Sequence, residues 1–389
     1  MSRFLFVVPP LTGHVNPTVS VARALEARGH EVAWVGHASK VRPLLPPNAR
    51  LFALPEFVEP AHAGAVQDRA RAARGAAALK LLWEDFLVPL ARSMRAGVDA
   101  AVAEWRPDAM CCDQQALAGG LVARRRNVPW ATLATTSAGI VDPLAGLPQV
   151  KAWFDGLIEA LERESELPPS PSRELSPHLV IAFTTSALVP GELPAHYRLV
   201  GSSTFDRPEP TPFPFDELRA PCVLISMGTV NAEASGRFYQ TVIAALAGDP
   251  DIQVVLVAPP ELAQDAPAHF IVRPYVPQLA LLPRMSAVVC HGGHNTTCEA
   301  LAHGLPLVIA PIKDDQPIVA EQVVAAGAGV RVKFGRVQPP ELRDAILRAL
   351  NDPDLRAGAA RVRASFAAAG GAAAAATHLE ALVTNQELA

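Results

Sequence analysis

Short β-rich apolar runs alternate with longer helical patterns along almost the whole chain, and the alternation begins twice. In the first half Phe4–Val8, Glu31–Val35, Ala109–Cys112, Trp130–Ala134 and Leu179–Phe183 read as strands. Asn16-Pro17 opens a helix with proline in its first turn, Gly29 stops it, and Leu117–Arg125 carries a further helical pattern. In the second half Val223–Ser226, Ile252–Val257, Phe270–Val272, Ala287–Cys290, Leu307–Ala310 and Val330–Val332 repeat the scheme. Such alternation builds βαβ units, hence parallel sheets with helices on both faces. Between the halves, Pro208, Pro210, Pro212 and Pro214 fix φ and remove donors, so this stretch is neither helix nor interior strand but a stiff linker. The expected fold class is therefore α/β, with two Rossmann-like doubly wound parallel-sheet domains facing a cleft. The boundaries follow: 1–205, a linker over 206–216, 217–370, and a C-terminal helix over 371–389 that can pack back on the N-terminal domain. Its Ala-rich run is helical because Leu379, Leu382 and Val383 give it an apolar stripe.

Length and charge narrow the function. A chain of 389 residues suits two domains, and 50% hydrophobic with 19% charged residues is globular composition. A net charge of -4 without a basic cluster argues against nucleic acid. Arg124-Arg125-Arg126, the densest basic run, reads as the solvated end of a helix. The apolar run after Met1-Ser2-Arg3 ends in Pro9-Pro10 with no cleavage site, and no stretch approaches the roughly 20 uncharged apolar residues of a membrane span. Five cysteines without metal-like spacing read as buried thiols in a reducing cytoplasm. Asp249-Pro250-Asp251 and Asp352-Pro353-Asp354 read as turns, not as metal ligands.

Ligands of doubly wound sheets sit beyond the carboxyl ends of the strands, so the residues there matter most. After Ala287–Cys290 comes His291-Gly292-Gly293, then a helix capped by Asn295 or Thr296 and running through Glu299 to Gly304. A glycine-rich turn entering a helix presents free N–H groups and the positive dipole end, which suit a diphosphate. His291 can donate to a phosphate oxygen and Glu299 can accept from ribose hydroxyls. The pattern alone is shared by many α/β turns. Its neighbours extend it: Tyr275 in Tyr275-Val276-Pro277-Gln278 can stack on a base that Gln278 reads, and Asp314-Asp315-Gln316 can hold sugar hydroxyls. Ser226-Met227-Gly228-Thr229 forms a second phosphate-facing turn.

In the first half, Gly13-His14-Val15-Asn16-Pro17 follows the first strand, where an imidazole with a pKa near working pH can act as a base. Asp113 ends the strand Ala109–Cys112 and can accept the other ring N–H, fixing the tautomer. On spacing alone a lone histidine in such a loop is more often incidental.

The run from Tyr275 to Gln316 resembles the nucleotide-sugar signature of the UDP-glycosyltransferase superfamily, the GT-B fold enzymes that glycosylate small lipophilic molecules. The order aromatic-x-Pro-Gln, His-x-Gly-x-Asn-Ser/Thr-x-x-Glu, Asp-Gln is met at Tyr275/Pro277/Gln278, His291/Gly293/Asn295/Thr296/Glu299 and Asp315/Gln316. The similarity spans essentially the whole chain and points to the bacterial macrolide and natural-product type. It implies that His291, Asn295 and Thr296 contact the diphosphate, Glu299 the ribose, and Asp315 with Gln316 the sugar, with Gly228, Thr229, Tyr275, Val276, Gln278, Gly293 and His294 completing the donor site. It matches His14 and Asp113 to the catalytic pair. Thr12, Gly13, Phe57, Trp83 and Phe86 would then line the acceptor site, within or beside the apolar segment Glu56–Met94. This chain departs from the plant pattern at Tyr275 and His294, which replace tryptophans, and at Val319, which replaces an asparagine.

The resemblance thus implies an inverting hexosyltransferase that needs no metal and no cofactor beyond a UDP- or dTDP-linked co-substrate. It would act in the cytoplasm, as monomer or homodimer, on a lipophilic small-molecule hydroxyl. A nucleotide-sugar epimerase and a catalytically silent GT-B helper are the alternatives. A helper would be expected to have lost His14/Asp113 or the phosphate loop, and both are intact. A lipid-linked sugar transferase would carry a basic, apolar membrane-facing patch, and an NAD(P) reductase a Gly-x-Gly-x-x-Gly turn after the first strand; neither is found.

Overall fold

The computed structural model describes residues 1–56, 76–140, 146–172, 174–203, 211–228 and 235–384. Phe57, Thr229 and linker residues 206–210 lie outside the described residues. The chain divides into two compact units: Met1–Thr184 with Gly191–Arg207 and Ala369–Ala389, and Thr185–Pro190 with Pro208–Ala368.

The first unit is built on a parallel sheet of seven strands: β1 (Arg3–Val7), β2 (Glu31–His37), β3 (Arg50–Leu54), β4 (Ala109–Asp113), β5 (Trp130–Ala134), β6 (Val180–Ala182) and β7 (Tyr197–Leu199), in the order 3-2-1-4-5-6-7. The register places Phe4 beside Ala109 and Val7 beside Cys112. Alternate side chains of β1 serve opposite faces, as the two-residue period of a strand requires. Phe4, Phe6 and Val8 join the core against helix α1 (Thr12–Ala27). Leu5 and Val7 join a second core against α2 (Val88–Trp105) and α3 (Ala118–Arg126). Helix α4 (Pro148–Glu164) packs Phe154, Ile158 and Leu161 into a smaller satellite cluster.

The second unit carries six parallel strands: β8 (Cys222–Ser226), β9 (Gln253–Val257), β10 (Phe270–Arg273), β11 (Ala287–Cys290), β12 (Leu307–Ile309) and β13 (Gly329–Arg331), in the order 10-9-8-11-12-13. Around them lie α5 (Gly236–Leu246), α6 (His294–Ala302), α7 (Gln316–Ala325), α8 (Pro339–Asn351) and α9 (Pro353–Ala369). Each sheet reverses its strand order once, between β1 and β4 in the first and between β8 and β11 in the second. These switch points are where a doubly wound sheet opens a crevice for ligands.

Two helix starts differ from the sequence expectation. Helix α1 begins at Thr12, so Pro17 lies inside it and His14 sits in its first turn instead of the preceding loop. Helix α6 begins at His294 after Gly293, so neither Asn295 nor Thr296 is its cap. In both cases the residue before the helix, Leu11 or Gly293, is extended and makes no side-chain cap bond. Strands β3 and β7 had no counterpart in the sequence reading; both are sheet edges. The arginines closing α3 are paired more than solvated: Arg124 meets the buried Glu162, and Arg126 meets Asp99. All five cysteines are buried and unpaired by disulfide.

Pro353–Thr384 is, among the described residues, the one helical stretch long and apolar enough on average to cross a membrane. Gly370 and Gly371, with φ of 83° and 57°, break it into α9 and α10 (Gly371–Thr384). A positive φ is accessible to glycine at little cost. Helix α10 buries Ala375, Ala376 and Leu379 in the core beside α1. A polar clasp reinforces the docking. Arg28 donates to Glu380, Thr377 and the carbonyl of Ala373, and His30 Nε2 lies 2.9 Å from Glu380 Oε1. Truncating a fully buried leucine removes transfer energy and leaves a cavity, so Leu379→Ala should destabilise the N-terminal unit by about 2–4 kcal/mol. All five tryptophans, Trp34, Trp83, Trp105, Trp130 and Trp153, belong to that unit, so tryptophan fluorescence during urea unfolding reads its midpoint. An unchanged midpoint would mean that α10 is not part of its core.

Candidate functional site

Polar chemistry gathers at both switch points. In the N-terminal unit, β4 ends in Asp113, whose side chain has no exposed surface. A carboxylate withdrawn from water requires donors in place of hydration. It finds three. His14 Nδ1 lies 2.9 Å from Oδ1 and 3.0 Å from Oδ2, the Gln115 N–H donates to Oδ1 at 2.8 Å, and the Thr135 hydroxyl donates to Oδ2 at 2.8 Å. The Thr135 oxygen is also 2.7 Å from His14 Nδ1.

The first turn of α1 delivers His14 to this position. The N–H groups of His14 and Val15 both bond to the carbonyl of Leu11. The imidazole side chain remains 15% exposed while Asp113 holds its Nδ1. Its neighbours Thr12 and Gly13 are exposed. Sequence reasoning did not single out Thr135. Its only signal was its place, one residue past the apolar strand β5.

Trp83 and Phe86 lie on Leu81–Leu87, a turn of wider, π-type winding that leads into α2. Trp83 meets Phe154 edge to face at 4.5 Å, and both side chains pack against the satellite cluster. The structure thus gives these two aromatics a packing role, and they stay partly exposed.

In the C-terminal unit, β8 ends at Ser226 and leads to Gly228, whose φ is 74°; β11 ends at Cys290 and leads to His291. The imidazole of His291 is wedged between two backbones. A Cβ on Gly228 would come within 2.7 Å of the ring, and one on Gly293 within 2.5 Å. Both positions therefore exclude any side chain while the ring stays in place. Burial pushes the His291 pKa below 6.5, opposed by the Asp315 carboxylate and the Ser226 carbonyl. The ring is held largely neutral at pH 7.

Beyond Gly293, helix α6 opens with His294, Asn295 and Thr296, and no side chain caps its end. His294 itself is buried, with Nε2 3.5 Å from Cys298 Sγ. Glu299 is wholly buried one turn further on. Gln278 Nε2 donates to its Oε2 at 2.6 Å and approaches Thr296 Oγ1 at 3.4 Å. Tyr275 projects into solvent, 64% exposed, and Val276 beside it is partly buried. After β12, the Gln316 carbonyl accepts from the N–H groups of Ile312 and Lys313, so this side chain shapes its own loop and sets Asp315 at the start of α7. The structure thus gathers His291, Gly228, Gly293 and Asp315 around one imidazole, and joins Gln278, Thr296 and Glu299 beside it.

Among the described residues no group of three or more His, Cys, Asp or Glu side chains is arranged to hold a metal ion. Asp249 instead pairs with Arg343, and Asp352 accepts from the Asp354 N–H.

Residues 241–382 match the family described as erythromycin biosynthesis protein CIII-like, C-terminal domain. Over 94% of its length the chain is 29% identical to 4'-demethylrebeccamycin synthase of Lentzea aerocolonigenes, covering 96% of that protein. It is 28% identical to NDP-glycosyltransferase YjiC of Bacillus subtilis, with 96% and 95% of the two chains covered. The structure of spinosyn rhamnosyltransferase SpnG complexed with thymidine diphosphate superposes with a TM-score of 0.76 at 24% identity, over 97% of this chain and 100% of that one. The architecture is GT-B, and over nearly its whole length the chain is similar to glycosyltransferases of the natural-product type.

Proposed function

We propose that the chain is an inverting, metal-independent hexosyltransferase that moves a sugar from a UDP- or dTDP-linked donor to a hydroxyl of a lipophilic small molecule. The observation that carries the mechanism is the contact of His14 Nδ1 with the buried Asp113 carboxylate. With Nδ1 protonated, Nε2 carries the basic lone pair. It takes the proton of the acceptor hydroxyl as that oxygen attacks the anomeric carbon. The bond from the anomeric carbon to the diphosphate oxygen breaks, the nucleoside diphosphate leaves with the electron pair, and the anomeric configuration inverts. Asp113 stabilises the imidazolium that forms.

The C-terminal unit supplies the donor site in this reading. The uncapped start of α6 meets the diphosphate charge with N–H groups and dipole, and His291, Asn295 and Thr296 add hydrogen bonds. Glu299, paired with Gln278, serves the ribose; Asp315 serves the sugar; Tyr275 stacks on the base, with Val276 and His294 beside it. Gln316 holds the loop and keeps its amide nitrogen for sugar hydroxyls. Thr229 belongs with Gly228 to the second phosphate-facing turn. Thymidine diphosphate in the SpnG complex supports a nucleoside diphosphate as the leaving group. Thr12, Gly13, Phe57, Trp83 and Phe86 line the acceptor side, and no cofactor beyond the donor is required. The enzyme works in the cytoplasm, as monomer or homodimer, with neither nucleic acid nor membrane as partner.

His14→Ala should lower the rate of transfer by about 10²–10⁴-fold, the usual span of general-base catalysis. Its thermal stabilisation by UDP-glucose, UDP-galactose and dTDP-linked sugars should match that of wild type. Loss of donor stabilisation in this variant would show that His14 is not the base. Gly293→Ala should act oppositely. Its Cβ displaces His291, so affinity for UDP and dTDP by calorimetry falls about 10–100-fold, the value of one hydrogen bond to a charged group. Unchanged affinity would remove His291 from the donor site.

A further inference from the structure

The Thr135 hydroxyl has two neighbours, and both belong to the pair just assigned. It lies 2.8 Å from Asp113 Oδ2 and 2.7 Å from His14 Nδ1. Thr135 is 3% exposed and follows β5, so its backbone is fixed by the sheet. A hydroxyl has one proton to give and lone pairs with which to accept. An ionised carboxylate only accepts, so the Thr135 proton goes to Asp113. Towards His14 the hydroxyl oxygen then presents a lone pair. Three acceptors surround Nδ1: both Asp113 oxygens and the Thr135 oxygen. An unprotonated Nδ1 would face all three lone-pair to lone-pair.

We propose that Thr135 is the positioning residue of the His14–Asp113 pair, its hydroxyl taking up part of the Asp113 charge and so setting how strongly the carboxylate pulls on the imidazole. It also shares the burden of the buried carboxylate with the Gln115 N–H, which reaches Oδ1. Each donor that spreads the carboxylate charge weakens its pull on the imidazolium. The hydroxyl therefore sets how basic His14 is. Asp113 is the charged group in contact with the ring, and Thr135 and Gln115 are the groups that moderate it. The chemical meaning of a base at Nε2 rests on the proposed function; the geometry that fixes the tautomer does not.

The test is nitrogen-15 NMR of the full chain with labelled histidine, the His14 signals being identified by their absence in His14→Gln. Wild-type His14 should show the Nδ1–H tautomer almost exclusively when neutral. In Thr135→Val, which keeps the shape and loses the hydroxyl, the Nδ1–H tautomer should persist and the His14 titration should move up by about 0.5–1 pH unit. Thr135→Ser should restore the wild-type titration. If the valine variant does not fold, Thr135→Ala carries the same expectation. An unaltered titration in the hydroxyl-free variant would overturn the proposal, as would a serine variant that behaves like valine. So would a hydroxyl-free variant whose one change is a weaker calorimetric affinity for UDP-glucose, since Thr135 would then serve the sugar. Failure of His14 as the base would instead appear as surviving transfer in His14→Ala, with the NMR result intact.

Discussion

Parallel strands covered by helices on both faces leave no room for water or unpaired charge along their length. Polar groups are driven to the strand ends, and the one place where helices diverge is the switch point of each sheet. Both constellations of this chain obey that constraint. Asp113 at the end of β4 and His14 after β1 flank the switch of the first sheet. Gly228 after β8 and His291 after β11 flank the switch of the second. The chemistry is placed by topology before any side chain is chosen.

Within that frame, the two sites solve different electrostatic problems. The N-terminal site buries a carboxylate and compensates it with an imidazole, a hydroxyl and a backbone N–H. That arrangement favours a proton on one ring nitrogen and stabilises positive charge when the ring gains a second. The C-terminal site buries an imidazole between two glycines and depresses its basicity. Beside it begins a helix that no side chain caps. One unit is therefore suited to accept a proton and the other to receive a leaving group.

Much of this was legible in the sequence because buried parallel strands write themselves as apolar runs. β5 and β11 were read to the residue, and the others of the central sheets within one or two positions. β3 and β7 were not, since an edge strand is half wet: Arg50–Leu54 is buried fully only at Leu54, and Tyr197–Leu199 nowhere. The helix starts were misplaced for a different reason. Sequence signals the start through a capping side chain, and both Leu11 and Gly293 begin their helices without one. Thr135 escaped because its partners lie 22 and 121 residues away, a proximity that no local pattern encodes. The pairing of Gln278 with Glu299, 21 residues apart, was hidden in the same way, although each residue was singled out separately.

The central claim is that a histidine base on one unit and a leaving-group site on the other act in a single displacement. The stereochemistry of the product tests it most directly. With an α-linked donor such as UDP-glucose and an acceptor found by panel screening, the anomeric proton of the glycoside is read by NMR. The account predicts a β-glycoside, recognised by the large diaxial coupling between the first two ring protons. An α-glycoside would mean two displacements or front-face attack, and would contradict it.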